Sequence, residues 1–235
     1  MLGLFPYTEI CQSLLNTCDL ESLSRYNFTL RGMRLALQAR AHQCEPSLPV
    51  WDTESCVLVA SGRIEEQLRE LFSREVNSGT FSTSQSELTP VSDTERMNKL
   101  SRLREALNLL RKLDRNLYEI FNSVISCIFV SNADKAFGGS SSATPSVIWA
   151  NVPNQWSTWD TLEFLVHELT HNLMFFDEFS ALHYRSRDEL TRPETFAQST
   201  ILKQYVPLNK ALHSIAAGIA ILNLRANAVF QQVTL

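Results

Sequence analysis

The chain has 235 residues, a formal net charge of −4, and 44% hydrophobic against 20% charged residues. That much apolar material excludes a mostly disordered chain, and 21 Lys+Arg against 25 Asp+Glu exclude a strongly basic nucleic-acid binder. With 7 Gly and 8 Pro, collagen-like, low-complexity and turn-dense all-β architectures are also ruled out.

The first six residues have neither a basic stretch nor a small-residue cleavage site, so no signal peptide is expected. Residues 1–45 predict two or three helices, with Leu30, Met33, Leu37 and Ala41 at helical spacing. Residues 55–60 read as a short buried strand. Residues 63–76 read as a helix with Ile64, Leu68, Leu71 and Phe72 on one face. Residues 78–92 are rich in Ser and Thr without an apolar period, and predict a loop or linker. Ser92 and Glu95 fit a capping box, in which side chain and backbone satisfy each other reciprocally. The Leu-rich helix that follows (Leu103, Leu107, Leu110, Leu117) is expected to break near Asp114.

Residues 127–130 and 146–152 predict strands on either side of a Gly/Ser loop at 135–145. Gly138-Gly139-Ser140-Ser141-Ser142 lacks the Lys of a P-loop and is expected to be a plain loop rather than an anion cradle. A helix over 158–180 opens on a second capping box, Ser157 to Asp160. The most apolar run, 215–224, is shorter than the roughly 20 residues that span a bilayer, so no membrane partner is expected. Five cysteines without CxxC predict free, buried thiols and a cytoplasmic protein. The expected class is mainly α with a small β-sheet (α+β). An N-terminal helical region (1–77) and a loop or linker (78–92) precede a metal-binding catalytic region (93–235).

Within helix 158–180 stands His167-Glu168-Leu169-Thr170-His171, an HExxH motif. Positions i and i+4 lie one turn apart on one helix face. His167 and His171 are therefore expected to address one metal ion, with Glu168 as the catalytic group beside it. No Cys lies near, which favours an open, reactive site over a closed structural one. A third ligand must come from downstream: Glu178, His183, Glu189, Glu194 and His213 are the candidates. Glu194 is expected to open a second helix with Pro193 at its first position, which suits a zinc peptidase of the HExxH…Glu type. The plain alternatives are a macrodipole-favoured charge for Glu194 and a hydrogen-bonded core residue for His213.

Residues 100–225 resemble the HExxH-motif peptide-modification proteins encoded beside ribosomally made peptide natural products. The likeness rests on the Leu-rich helix, the Gly/Ser loop and Val147-Ile148-Trp149. It extends through Glu163 to Leu173 and the Pro207-Leu208…Ala211-Leu212-His213-Ser214 segment. That family is understood to consist of Fe(II)/2-oxoglutarate-dependent β-hydroxylases. The resemblance implies His213 as third metal ligand beside His167 and His171, Fe(II) and 2-oxoglutarate as cofactors, and a peptide or carrier-bound substrate. Val206 stands where the family has Arg, so Arg225 or Arg192 is expected to bind the oxoacid instead. The alternative expectation is a zinc metallopeptidase with Glu168 as general base and strand 146–152 as an edge for an extended substrate. A third is a helical binding module with a degenerate motif.

Overall fold

A computed structural model describes residues 7–18, 29–77, 88–134, 136–181, 183–184, 186–199 and 203–230. In chain order the elements are α1 (Tyr7–Thr17), α2 (Leu30–Cys44), β1 (Val57–Leu58), α3 (Gly62–Asn77), α4 (Asp93–Leu113), α5 (Arg115–Val124), β2 (Cys127–Val130), β3 (Gly138–Gly139), β4 (Val147–Ala150) and α6 (Thr158–Ser180). Two 3-10 turns (Arg187–Thr191, Pro193–Thr195) lead to β5 (Phe196–Gln198), β6 (Tyr205–Pro207) and α7 (Leu208–Phe230). The chain is thus mainly α with a small mixed sheet. Most of the Ser/Thr-rich segment, residues 78–87, and residues 19–28 of the expected N-terminal helices lie outside the described residues.

Local chemistry sets the boundaries. Asp114 ends α4 and begins α5, because its backbone N–H caps the first and its side chain accepts from Leu117 N of the second. At the start of α4 the expected capping box is half made. Ser92 accepts from Glu95 N, but the Glu95 carboxylate turns to Lys99 and Asn132. An ion pair with an almost fully buried lysine outcompetes the cap.

The four-stranded sheet has the order β1-β2-β4-β3, with β1, β2 and β4 parallel and β3 antiparallel at the edge. All eight residues of β2 and β4 are buried, as expected when both faces of a parallel sheet are covered. Their alternation sorts two cores. Ile128, Val130, Ile148 and Ala150 face the large cluster that joins α1, α2, α4, α5, α6 and α7. Cys127, Phe129, Val147 and Trp149 face a smaller one with Leu68, Leu71 and Phe72 of α3. The substrate-edge expectation for residues 146–152 is corrected here: β4 is an interior strand, and the edges are β1 and, on the side of β4, β3. The Gly/Ser loop hid that strand because glycine carries no β-pattern. Gly138 sits at φ +156, and a Cβ there would collide with the Phe164 ring, so the edge strand rests directly on α6.

The second helix expected at Glu194 is also corrected. Only a 3-10 turn forms, and Phe196 and Ala197 pair with Pro207 and Val206 as a hairpin. Among the described residues, α7 is long and apolar enough over Leu208–Val229 to cross a membrane by length and composition, and about a third of its most apolar stretch is buried. Of its exposed large apolar residues, Leu208, Ile215, Leu222 and Val229 recur every seventh position, and Leu212 stands between the first two. All five cysteines carry reduced thiols; only Cys18 and Cys127 are buried outright and Cys44 is exposed. Burial pushes the Cys127 thiol up to about 12, which makes it inert at neutral pH.

Candidate metal centre

Helix α6 carries the motif, and its start is fixed by a complete capping box. Ser157 Oγ accepts from Asp160 N, and Asp160 Oδ2 accepts from Ser157 N at 2.7 Å. From that phase, Leu162, Leu165, Val166, Leu169 and Leu173 enter the core. His167 and His171 are left on the side that meets α7. The two helices run antiparallel: His171 meets His213, while Glu163, two turns earlier on α6, meets Arg225, three turns later on α7.

Three imidazoles and one carboxylate stand in a row. His167 Nε2 lies 2.9 Å from His171 Nε2. His171 Nδ1 lies 2.9 Å from His213 Nδ1. His213 Nε2 lies 3.1 Å from Glu178 Oε1. The His213 and Glu178 side chains are only 7% and 11% exposed. Phe175 packs on both His171 and His213, with its ring centroid 5.2 Å from the latter. Desolvation, then the neighbouring His167 and His213, hold the His171 pKa well below the usual imidazole value. The residue is half-buried, and its ring is flanked by His167, His213 and Phe175. His171 is therefore neutral, the form that ligates metals.

The donor set suits a first-row divalent ion, and the facing Nε2 atoms of His167 and His171 are the pair able to share one. His213, expected as third ligand, is brought to His171 but to the nitrogen turned away from His167. Among the described residues no three His, Cys, Asp or Glu side chains form a ready-made cage.

Glu168 points elsewhere. It is buried, and its Oε2 accepts from Ser140 Oγ at 2.7 Å. Asn172 Nδ2 donates to Ser140 Oγ and to the Glu168 carbonyl, and Asn172 Oδ1 accepts from Ser146 N. Ser140 and Asn172 thereby tie the loop after β3 to the motif. Neither was legible in the sequence, since the contact joins residues about thirty positions apart. Desolvation raises the Glu168 pKa, with His167 and Ser140 opposing. A raised carboxyl binds its proton more tightly in the folded protein, so stability falls as pH rises from its unfolded value near 4.5 through its folded one. Glu168→Gln keeps an acceptor for Ser140 without the charge. Its melting temperature relative to the parent, measured without metal by circular dichroism, is expected to rise between pH 4 and pH 7; a flat difference contradicts a desolvated carboxylate.

The remaining expected residues lie apart from the row. His183 Nε2 pairs with Asp177 at 2.9 Å, and its side chain is 42% exposed. Glu189 lies in the first 3-10 turn, where its carbonyl accepts from Thr195 Oγ1. Glu194 and Arg192 are exposed at the second turn. The Arg225 guanidinium forks onto Glu163 at 2.5 and 2.8 Å, so it reaches α6 one turn before His167 with a carboxylate already in its grip. Compared with known proteins, the chain matches no family model and no curated sequence.

Proposed function

We propose that the protein is an Fe(II)/2-oxoglutarate-dependent hydroxylase acting at the β-carbon of a residue in a peptide or carrier-bound substrate, in cytoplasmic natural-product biosynthesis. His167 and His171 are the two motif donors, and His213 is the third imidazole of the centre. The supporting observation is that the residue joining the motif pair is an imidazole from α7, 2.9 Å from His171. Glu194, the carboxylate that an HExxH…Glu peptidase would need, is exposed on a turn.

Iron and 2-oxoglutarate, when bound, supply the oxidising power for C–H hydroxylation. The chain's own residues do the rest. Burial keeps His171 deprotonated at one nitrogen, and the Phe175 ring shields the His171–His213 pair from water. Glu168 is held against Ser140, which favours an anchoring role between motif and loop. Arg225, already bound to one carboxylate, is the guanidinium within reach of α6 for an oxoacid.

A zinc peptidase is the second reading, favoured by one contact: Ser140 links Glu168 to the residues directly after the edge strand β3, where an extended substrate can pair. Glu168 is the general base in that reading. Protein purified without oxygen and reloaded with Fe(II) decides between them. Stoichiometric iron and turnover of 2-oxoglutarate to succinate are expected. Stoichiometric zinc, no succinate, and proteolysis lost in Glu168→Gln reverse the assignment.

A further inference from the structure

Three consecutive contacts link a carboxylate to the motif through two rings. Glu178 Oε1 faces His213 Nε2 at 3.1 Å, His213 Nδ1 faces His171 Nδ1 at 2.9 Å, and His171 Nε2 faces His167 Nε2 at 2.9 Å. A carboxylate accepts only, so His213 must donate from Nε2. With a single proton on that ring, its Nδ1 is bare and acts as an acceptor. His171 must then donate from Nδ1, and its own Nε2 is left with a free lone pair. We propose that Glu178 is the positioning carboxylate of the centre, fixing through His213 the tautomer of His171 that presents Nε2 as a metal donor.

This assignment rests on the metal reading above for its purpose, but not for its geometry. Ligating histidines generally donate their second ring N–H to an orienting partner, and loss of that partner weakens metal binding by about 10–100-fold. Here the partner is a second imidazole, backed by Glu178. His213 then works behind His171, which explains why it meets the nitrogen turned away from His167. The burial of both side chains makes the order of protons matter, because few waters can substitute. Glu178 lies on α6 itself, seven residues after His171. Glu178 is one of the candidate third ligands by sequence; on the same straight helix as the motif it lies too far along to share an ion with His167 and His171, and at the end of a relay that distance is what is required.

The test has two independent readouts. In metal-free, 15N-labelled protein above pH 7, long-range ring correlations, assigned with single His variants, are expected to place the His171 proton on Nδ1 and the His213 proton on Nε2. Glu178→Leu removes the acceptor and is expected to give His171 a mixture of tautomers. Glu178→Gln, whose amide oxygen still accepts, is expected to restore the preference in part. A His171 proton on Nε2 in the parent overturns the proposal, and so does an unchanged spectrum in Glu178→Leu. If the Leu variant does not fold, the parent spectrum decides. In Co(II) titrations followed by absorption, Glu178→Leu is expected to bind about 10–100-fold more weakly with the parent's spectral shape. Affinity equal to the parent overturns the relay. A parent that binds no Co(II) removes the metal reading instead, and the tautomer result still stands or falls alone.

Discussion

His171→Ala is expected to leave a folded protein that retains no metal. This ring contacts both other imidazoles, one through each nitrogen, so its removal takes away a donor and cuts the row in two. The loss of affinity should exceed the 10–100-fold typical of losing an orienting partner. The side chain is not part of the apolar face of α6, but its ring is packed between His167, His213 and Phe175, so stability is expected to fall by about 1–2 kcal/mol, within the ordinary range for single substitutions and short of unfolding the chain. Metal content after anaerobic purification, read beside a thermal melt, checks both halves. Glu194→Ala serves as the control and is expected to keep the parent's metal. Metal retained in His171→Ala, or lost in Glu194→Ala, would transfer the centre away from the row.

Arg34→Met is expected to lower stability by about 3–5 kcal/mol, or roughly 10 °C in melting temperature for a chain of this size. Arg34 is 1% exposed in the second turn of α2. Its guanidinium donates to the carbonyls of Asn122, Ile125 (2.7 Å) and Ser126 (2.8 Å), at the C-terminal end of α5. The last carbonyls of a helix have no partner within it and carry the negative end of its dipole. A buried cation with forked donors satisfies several at once, although desolvation lowers its own pKa. Methionine fills much of the volume and strands the Asn122 and Ile125 carbonyls in the core, while the Ser126 carbonyl keeps the Val57 N–H as its partner. Arg34→Lys should fall between, since an ammonium lacks the fork. A loss below 1 kcal/mol in Arg34→Met would mean that water reaches the carbonyls.

Arg34 also marks where reading the sequence stops. Apolar spacing correctly selected its neighbours Met33, Leu37 and Ala41, all buried, whereas Leu30, the fourth of that stripe, is exposed; nothing in the pattern distinguishes an arginine that enters the core from one that faces water. The same division runs through the whole chain. Periodicity and caps located α3, α4, α5, α6 and the two central strands, because these signals are local. The paired glycines of β3 escaped, as did the hairpin that replaced the helix at Glu194, because their pairing partners are distant. At the centre, the i,i+4 spacing was enough to place His167 and His171 together. The role of Glu178 depends on which nitrogen of each ring faces which neighbour, and spacing carries no information about that.

Helix ends tend to fray, and Glu178 sits in the final turn of α6, two residues before its last, Ser180. Helix α1 acts as a splint there. Ser13 Oγ donates to Asp177 Oδ1 at 2.9 Å, and Thr17 Oγ1 donates to the Phe176 carbonyl at 3.2 Å. The stretch of chain farthest from the motif in sequence thus clamps the turn immediately before the carboxylate. Removing these two hydroxyls, as in Ser13→Ala with Thr17→Val, is therefore expected to loosen the alignment of the imidazoles with no residue of the row itself altered.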